Sequence, residues 1–145
     1  VNGFMDGLGD NVDKFNIVAQ QDGEAALDTS LSLAEDIIIA NPDLDAFFCI
    51  NDPSALGAAA AVKAANLTGE IGVYSIDASP DGKQALLDGE FSAVAARVPI
   101  QIAEYAYNSA TEYLNGNTDL GEKKVYLDSF LVTEEIAEET LNDWQ

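Results

Sequence analysis

Short apolar runs in this 145-residue chain end in polar groups able to hold a small molecule. The run Ala46-Phe47-Phe48-Cys49-Ile50 stops at Asn51-Asp52. A second, ending Tyr74-Ser75-Ile76, stops at Asp77, and a third carries Arg97 just before Pro99. An amide both donates and accepts, a carboxylate accepts, and a guanidinium only donates. Together they match the paired donors and acceptors of a neutral polyhydroxylated compound, and the charged members make the stronger bonds. Each also has a plainer role: Asp52 as a helix cap, Asp77 as a turn former ahead of Ser79-Pro80, Arg97 as a surface cation. Their coincidence at equivalent positions favours a binding rim built from Asn51, Asp77 and Arg97.

Much other chemistry is excluded. The chain has no histidine, which removes Ser-His-Asp and Cys-His nucleophile pairs and histidine metal sites. It has neither a G-x-x-x-x-G-K phosphate loop nor a spaced glycine fingerprint after a strand, and no cofactor is expected. Asp52 and Asp77 admit a carboxylate-pair glycosidase, but among 26 acidic residues close pairs arise by chance. The same 26 acids against 6 bases give a net charge of −20, which repels phosphate backbones, so nucleic acid is not an expected partner. The single cysteine, Cys49, lies inside an apolar run and reads as a small buried hydrophobe. No apolar stretch approaches the roughly 20 residues that span a bilayer.

The elements that must position these groups alternate along the chain. "FNIVAQ" (15–20) reads as a strand. Leu27, Leu31, Ala34 and Ile38 mark one face of a helix between Glu24 and Ala40, ended by Asn41-Pro42. "AFFCIN" (46–51) is a strand and 53–65 a helix. "EIGVYSID" (70–77) is a strand, "PDGKQALLDG" (80–89) a short helix closed by Gly89, and "SAVAARV" (92–98) a fourth strand. A helix over 100–115 carries Ile102, Ala106, Ala110 and Leu114 on one face. "KVYLDSFLV" (124–132) is a strand, and a terminal helix starts near Thr133 with acids in its first turn. The first nine residues read as the tail of a helix, and Phe47, Phe48 and Tyr74, in mid-strand, as core. Strands alternating with helices predict a doubly wound, mainly parallel α/β sheet with helices on both faces. Ligands of such sheets sit beyond the carboxyl ends of the strands, where Asn51, Asp77 and Arg97 stand.

The stretches "NDPSALGAAAAVKAAN", "IGVYSIDASPDGKQALLDGEFSAVAARVPIQIA" and "LVTEEIAEE" resemble the C-terminal half of sugar-binding proteins of the ribose/galactose type. These are the substrate-binding components of bacterial ABC importers. The resemblance runs from "NGF" to "LVTEE". Its most specific parts are the N-D-x-x-A-L-G run at Asn51 and the D-x-x-P-x-G turn at Asp77. It implies two α/β lobes that clamp a sugar or polyol by hinge closure, with no catalysis, cofactor or metal. Asn51 then hydrogen-bonds sugar hydroxyls and Asp77 accepts from them. Arg97 stands where the family usually has glutamine or asparagine. Ala25 and Leu27 stand where a ring-stacking aromatic and an arginine are usual.

The resemblance also implies a domain plan. Residues 1–98 form the C-terminal sugar-binding lobe without its first strand and most of its first helix. Residues 99–128 return to the missing N-terminal lobe, and 129–145 hold a crossover strand and the terminal helix. Exposed apolar faces then call for the missing lobe or a second copy of the chain. The implied partners are the sugar or polyol and an ABC permease in the membrane. The implied location is extracytoplasmic, in the periplasm or at the cell surface with a lipid anchor. A repressor's sugar-sensing domain shares the fold and is the alternative; the acidity and the "LVTEE" ending favour the importer component.

Overall fold

The computed structural model describes residues 2–121 and 125–144. A four-stranded sheet in the order β1 (Ala46–Phe48), β2 (Gly72–Asp77), β3 (Ala93–Ala96), β4 (Phe130–Val132) organises the chain. The first three strands are parallel and β4 runs antiparallel to β3. The helices are α1 (Asn2–Leu8), α2 (Leu27–Ala40), α3 (Asp52–Ala64), α4 (Pro80–Leu87), α5 (Pro99–Leu114) and α6 (Glu134–Glu139), with a 3-10 turn at Gly9–Lys14. Helices α3 and α4 are the crossovers that parallel pairing demands.

Local chemistry sets the boundaries of these helices. Asn51, not Asp52, is the N-cap of α3, its side chain accepting from the Ser54 amide, and Pro53 stands in the first turn where no donor is lost. Ser79 caps α4 in the same way, again followed by proline. Thr133 caps α6 with Glu134 and Glu135 in the first turn, as expected. Gly89 takes a positive φ of 72° just after α4, the conformation glycine adopts without strain.

The core is built from small residues. Ala55, Ala58, Ala59, Ala61 and Val62 of α3 meet Val73, Val94, Ala96 and Val132 of the sheet. Helix α2 closes on α3 at Gly57, where an added Cβ would run into the backbone of Leu27 and Leu31. Three of the four residues of its expected face hold, with Ala34 buried and Leu31 and Ile38 packed on the core, while Leu27 at its start is exposed.

Side chains alternate across a sheet, so the strands' second set points the other way. The register Phe48–Tyr74–Ala93 lies on that second face. There Phe48 is 38% and Tyr74 43% exposed, which corrects their expected burial; Phe47, on the first face, does pack on the core. Helix α1 reaches the second face through Phe4, whose ring stacks on Phe48 with centroids 4.4 Å apart. Helices therefore lie on both faces, but the second is covered only in part.

Two further expectations change. Residues 15–20 form no strand, and Phe15, Ile17 and Val18 are exposed. Apolar, β-branched composition signals a strand, but a strand exists only when a neighbour takes its hydrogen bonds, and none does so among the described residues. The strand expected over 124–132 is confined to Phe130–Val132, the stretch that β3 pairs; residue 124 lies outside the described residues. Helix α5 forms as expected, yet buries none of its residues, and Leu114 is 83% exposed. Its apolar face stays largely exposed, with Ile102 and Ala106 at its start lining a groove with residues 125–129.

Cys49 follows β1 half-buried, and burial pushes its thiol up from 9.0 to about 12. Native Cys49 is therefore expected to be alkylated about a thousandfold more slowly than in denaturant, since the thiolate is the reacting form. Mass-spectrometric rates with iodoacetamide check this. Equal rates would mean that the thiol is not shielded.

Candidate functional site

The pairing register carries the three candidate residues to one edge. Phe48 lies opposite Tyr74, and Tyr74 opposite Ala93. Counting three residues onward in each parallel strand reaches Asn51, Asp77 and Ala96, and Arg97 follows Ala96 directly. Adjacent strands lie about 4.8 Å apart, so the three ends spread over about 10 Å, a width that one monosaccharide with its hydrogen bonds can bridge.

Asn51 is held at both ends of its amide. Its Oδ1 accepts from the Ser54 amide at 3.1 Å, and its Nδ2 donates to the Ala25 carbonyl at 3.3 Å. One N–H and one lone pair of the amide remain for another molecule. Asp77 and Arg97 form an ion pair. The Arg97 Nε donates to Asp77 Oδ1 at 2.9 Å, and its Nη2 donates to the same oxygen.

Backbone strain gathers at this edge. Asp77 and Ala78 take φ of 129° and 58°, and Glu24 and Ala25 take 55° and 54°. Non-glycine residues reach such conformations only when their surroundings enforce them. Asn51 anchors the second pair through the Ala25 carbonyl. Asp52 anchors the first: its Oδ2 accepts from the Ser79 amide at 2.7 Å and from Ser79 Oγ at 2.6 Å. Its Oδ1 accepts from Ser75 Oγ at 2.5 Å.

Asp52 is 1% exposed. It is sequestered and saturated, so the glycosidase reading loses one of its two carboxylates. Its structural part was not legible in the sequence, nor were those of Ser75, Ser79 and the Ala25 carbonyl. The one signal was the pair of Asn/Ser caps with a proline one or two residues on, at Asn51 and Ser79. Lys83, fully buried, was also unforeseen: its Nζ donates to the carbonyls of Thr140 and Asp143, both at 2.5 Å. It ties α4 to the turn after α6.

Beside Arg97 a groove of about 390 Å³ opens between the start of α5 and residues 125–129. Val98, Ile102, Tyr105, Tyr126 and Leu127 line it. Such walls suit protein side chains better than sugar hydroxyls. Among the described residues no cluster of potential metal ligands occurs, and no helix is long and apolar enough to cross a membrane.

A doubly wound sheet presenting an amide, an acid and a cation along its carboxyl edge has the form of a small-molecule binding lobe. The chain belongs to the periplasmic binding protein domain family, whose model matches residues 1–118. The ribose import binding protein RbsB of Escherichia coli is 34% identical to it over 103 residues, 71% of this chain and 34% of that protein. The fructose import binding protein FruE of Bifidobacterium longum is 38% identical over 96 residues, 66% of this chain and 28% of that protein. Among solved structures, the periplasmic binding protein component of the arabinose ABC transporter from Shewanella sp. ANA-3, bound to L-arabinofuranose, gives a TM-score of 0.84 at 30% identity. That match covers 95% of this chain and 46% of the other. The chain spans about a third of the length of the curated relatives it matches.

Proposed function

We propose that the chain is the C-terminal lobe of the substrate-binding component of an ABC importer. It binds a sugar or polyol through Asn51, Asp77 and Arg97 and performs no catalysis. The observation that carries this reading is the common level of the three groups on one sheet edge, each with bonding capacity to spare. Relatives described as import binding proteins support the importer reading over the repressor.

Residues 1–98 are the sugar-binding lobe, residues 99–128 reach toward a second lobe, and 129–145 return to the first. Helix α5 without a buried residue and the apolar groove beside Arg97 support that division. Closure of the lobes is a hinge motion about these crossings. The complete protein works outside the cytoplasm, in the periplasm or lipid-anchored at the cell surface, and delivers its ligand to a membrane permease.

A thermal-shift screen of the complete gene product against pentoses, hexoses, polyols and sugar acids identifies the ligand. With that ligand, Asn51→Ala, Asp77→Ala and Arg97→Ala are each expected to weaken binding by about 1–3 kcal/mol, the cost of a buried polar group left unpaired. Titration calorimetry reads the loss. Unchanged affinity in all three variants would contradict the site.

A further inference from the structure

We infer that the Asp77–Arg97 pair determines the specificity of this rim: the pairing makes the two strand ends one electroneutral unit, which accepts uncharged polyhydroxy compounds and rejects sugar acids. The inference rests on the reading of this edge as a sugar or polyol site.

An arginine at a binding edge ordinarily invites an anion, because its fork of N–H groups fits a carboxylate or phosphate. Here one side of the fork is already engaged. Both Nε and Nη2 donate to the single oxygen Oδ1 of Asp77. Among the described residues no hydrogen bond reaches Oδ2, so the acid keeps a free acceptor beside the remaining N–H groups of Arg97. The Arg97 side chain is 58% exposed and that of Asp77 19%, so both still face solvent.

Two neighbouring hydroxyls complete this arrangement, one donating to Oδ2 and the other accepting from the guanidinium. A carboxylate does not. It brings a negative charge against Asp77, whether it meets the N–H groups that remain on Arg97 or displaces the acid from the others, on a chain whose net charge is already −20. The Asp77 backbone offers no easy retreat, because Ser79, two residues on, is fastened by two hydrogen bonds to the buried Asp52. The arginine therefore serves as the partner of the acid, and the pair reads hydroxyls.

The test uses the complete gene product and matched probes: D-galactose with D-galacturonate, D-ribose with D-ribonate, and each neutral sugar from the screen with its own acid. Calorimetry at neutral pH is expected to favour the neutral member of the binding pair at least tenfold. Asp77→Asn keeps the side chain's shape and frees Arg97, and it should narrow that preference at least tenfold or reverse it. Arg97→Gln should weaken the neutral sugar about fivefold and leave the acid still disfavoured, because Asp77 remains. If Asp77→Asn fails to fold, the wild-type ratio and Arg97→Gln decide alone. Equal or tighter binding of the acid by the wild type overturns the inference, as does a ratio that neither variant moves. Failure of the underlying reading has a different signature: no member of either set binds, or a ligand binds and Asn51→Ala leaves it untouched. That outcome removes the inference with it.

Discussion

Asp52→Ala is expected to lower the stability of the fold by about 3 kcal/mol, among the largest effects of any single substitution in this chain. The carboxylate is 1% exposed and accepts three hydrogen bonds, from Ser75 Oγ, Ser79 Oγ and the Ser79 amide. Its loss leaves the buried Ser79 amide and hydroxyl without this acceptor and Ser75 Oγ with only the Ile76 carbonyl at 3.5 Å. Gly82 packs directly against the carboxylate and has no side chain to fill the space it would leave. Asp52→Asn is a partial rescue: its amide oxygen still accepts from Ser79 and its N–H₂ donates to Ser75 Oγ, but the charge that strengthens these bonds is gone. Denaturant midpoints of the two variants against the wild type measure the loss. A fall of less than about 1 kcal/mol in both would show that the network does not carry the junction of α3, β2 and α4. Since Ser79 also fastens the strained turn at Asp77 and Ala78, ligand affinity should fall as well.

Lys83→Met is expected to cost about 2–4 kcal/mol and to loosen one part of the molecule in particular. The buried Nζ holds the carbonyls of Thr140 and Asp143, which lie just past α6. That helix has only six residues, and Ala137 is its one buried side chain, so little else secures it. A cation at this place also complements the negative end of the helix dipole. Methionine retains the stem's packing and abandons both carbonyls. Hydrogen exchange in residues 134–144 should accelerate in the variant, and exchange in β2 much less; equal acceleration of both would contradict a local tether.

Protonation sharpens the Lys83 prediction. Burial pushes its pKa below 10.5, with Asp143 and Asp52 opposing the shift. Between the folded value and 10.5 the unfolded chain binds more protons than the folded one. The lysine's contribution to stability therefore rises with pH across that window. The gap between wild type and Lys83→Met should widen as pH climbs toward 10.5. A gap that narrows would place the lysine in an environment that favours its charge.

What the sequence made legible follows from where its signals are local. Asn41-Pro42, Ser79-Pro80 and Gly89 punctuate helices by rules that need only neighbouring residues, and those boundaries fell where expected. The runs ending at Asn51, Asp77 and Arg97 were visible as apolar stretches with polar ends. The parallel register that brings the ends level was an inference from alternation, and the sheet has it. What failed depended on distant partners. Residues 15–20 have strand composition and no strand beside them, while Phe48 and Tyr74 lie in mid-strand on the face that α1 covers only in part. The Asp52 network and the Lys83 tether join residues 23 to 60 positions apart, and no periodicity or spacing reports such pairs. The ion pair of Asp77 and Arg97 was one of several fates open to that arginine, and only the structure selects it.

The most direct measurement is a crystal structure of the complete gene product with the tightest-binding sugar of the screen. The amide of one strand end, the free oxygen of the next and the guanidinium of the third should each lie roughly 2.7–3.2 Å from a ligand hydroxyl. A sugar seated elsewhere, with Asn51, Asp77 and Arg97 all out of hydrogen-bonding reach, would contradict the site outright.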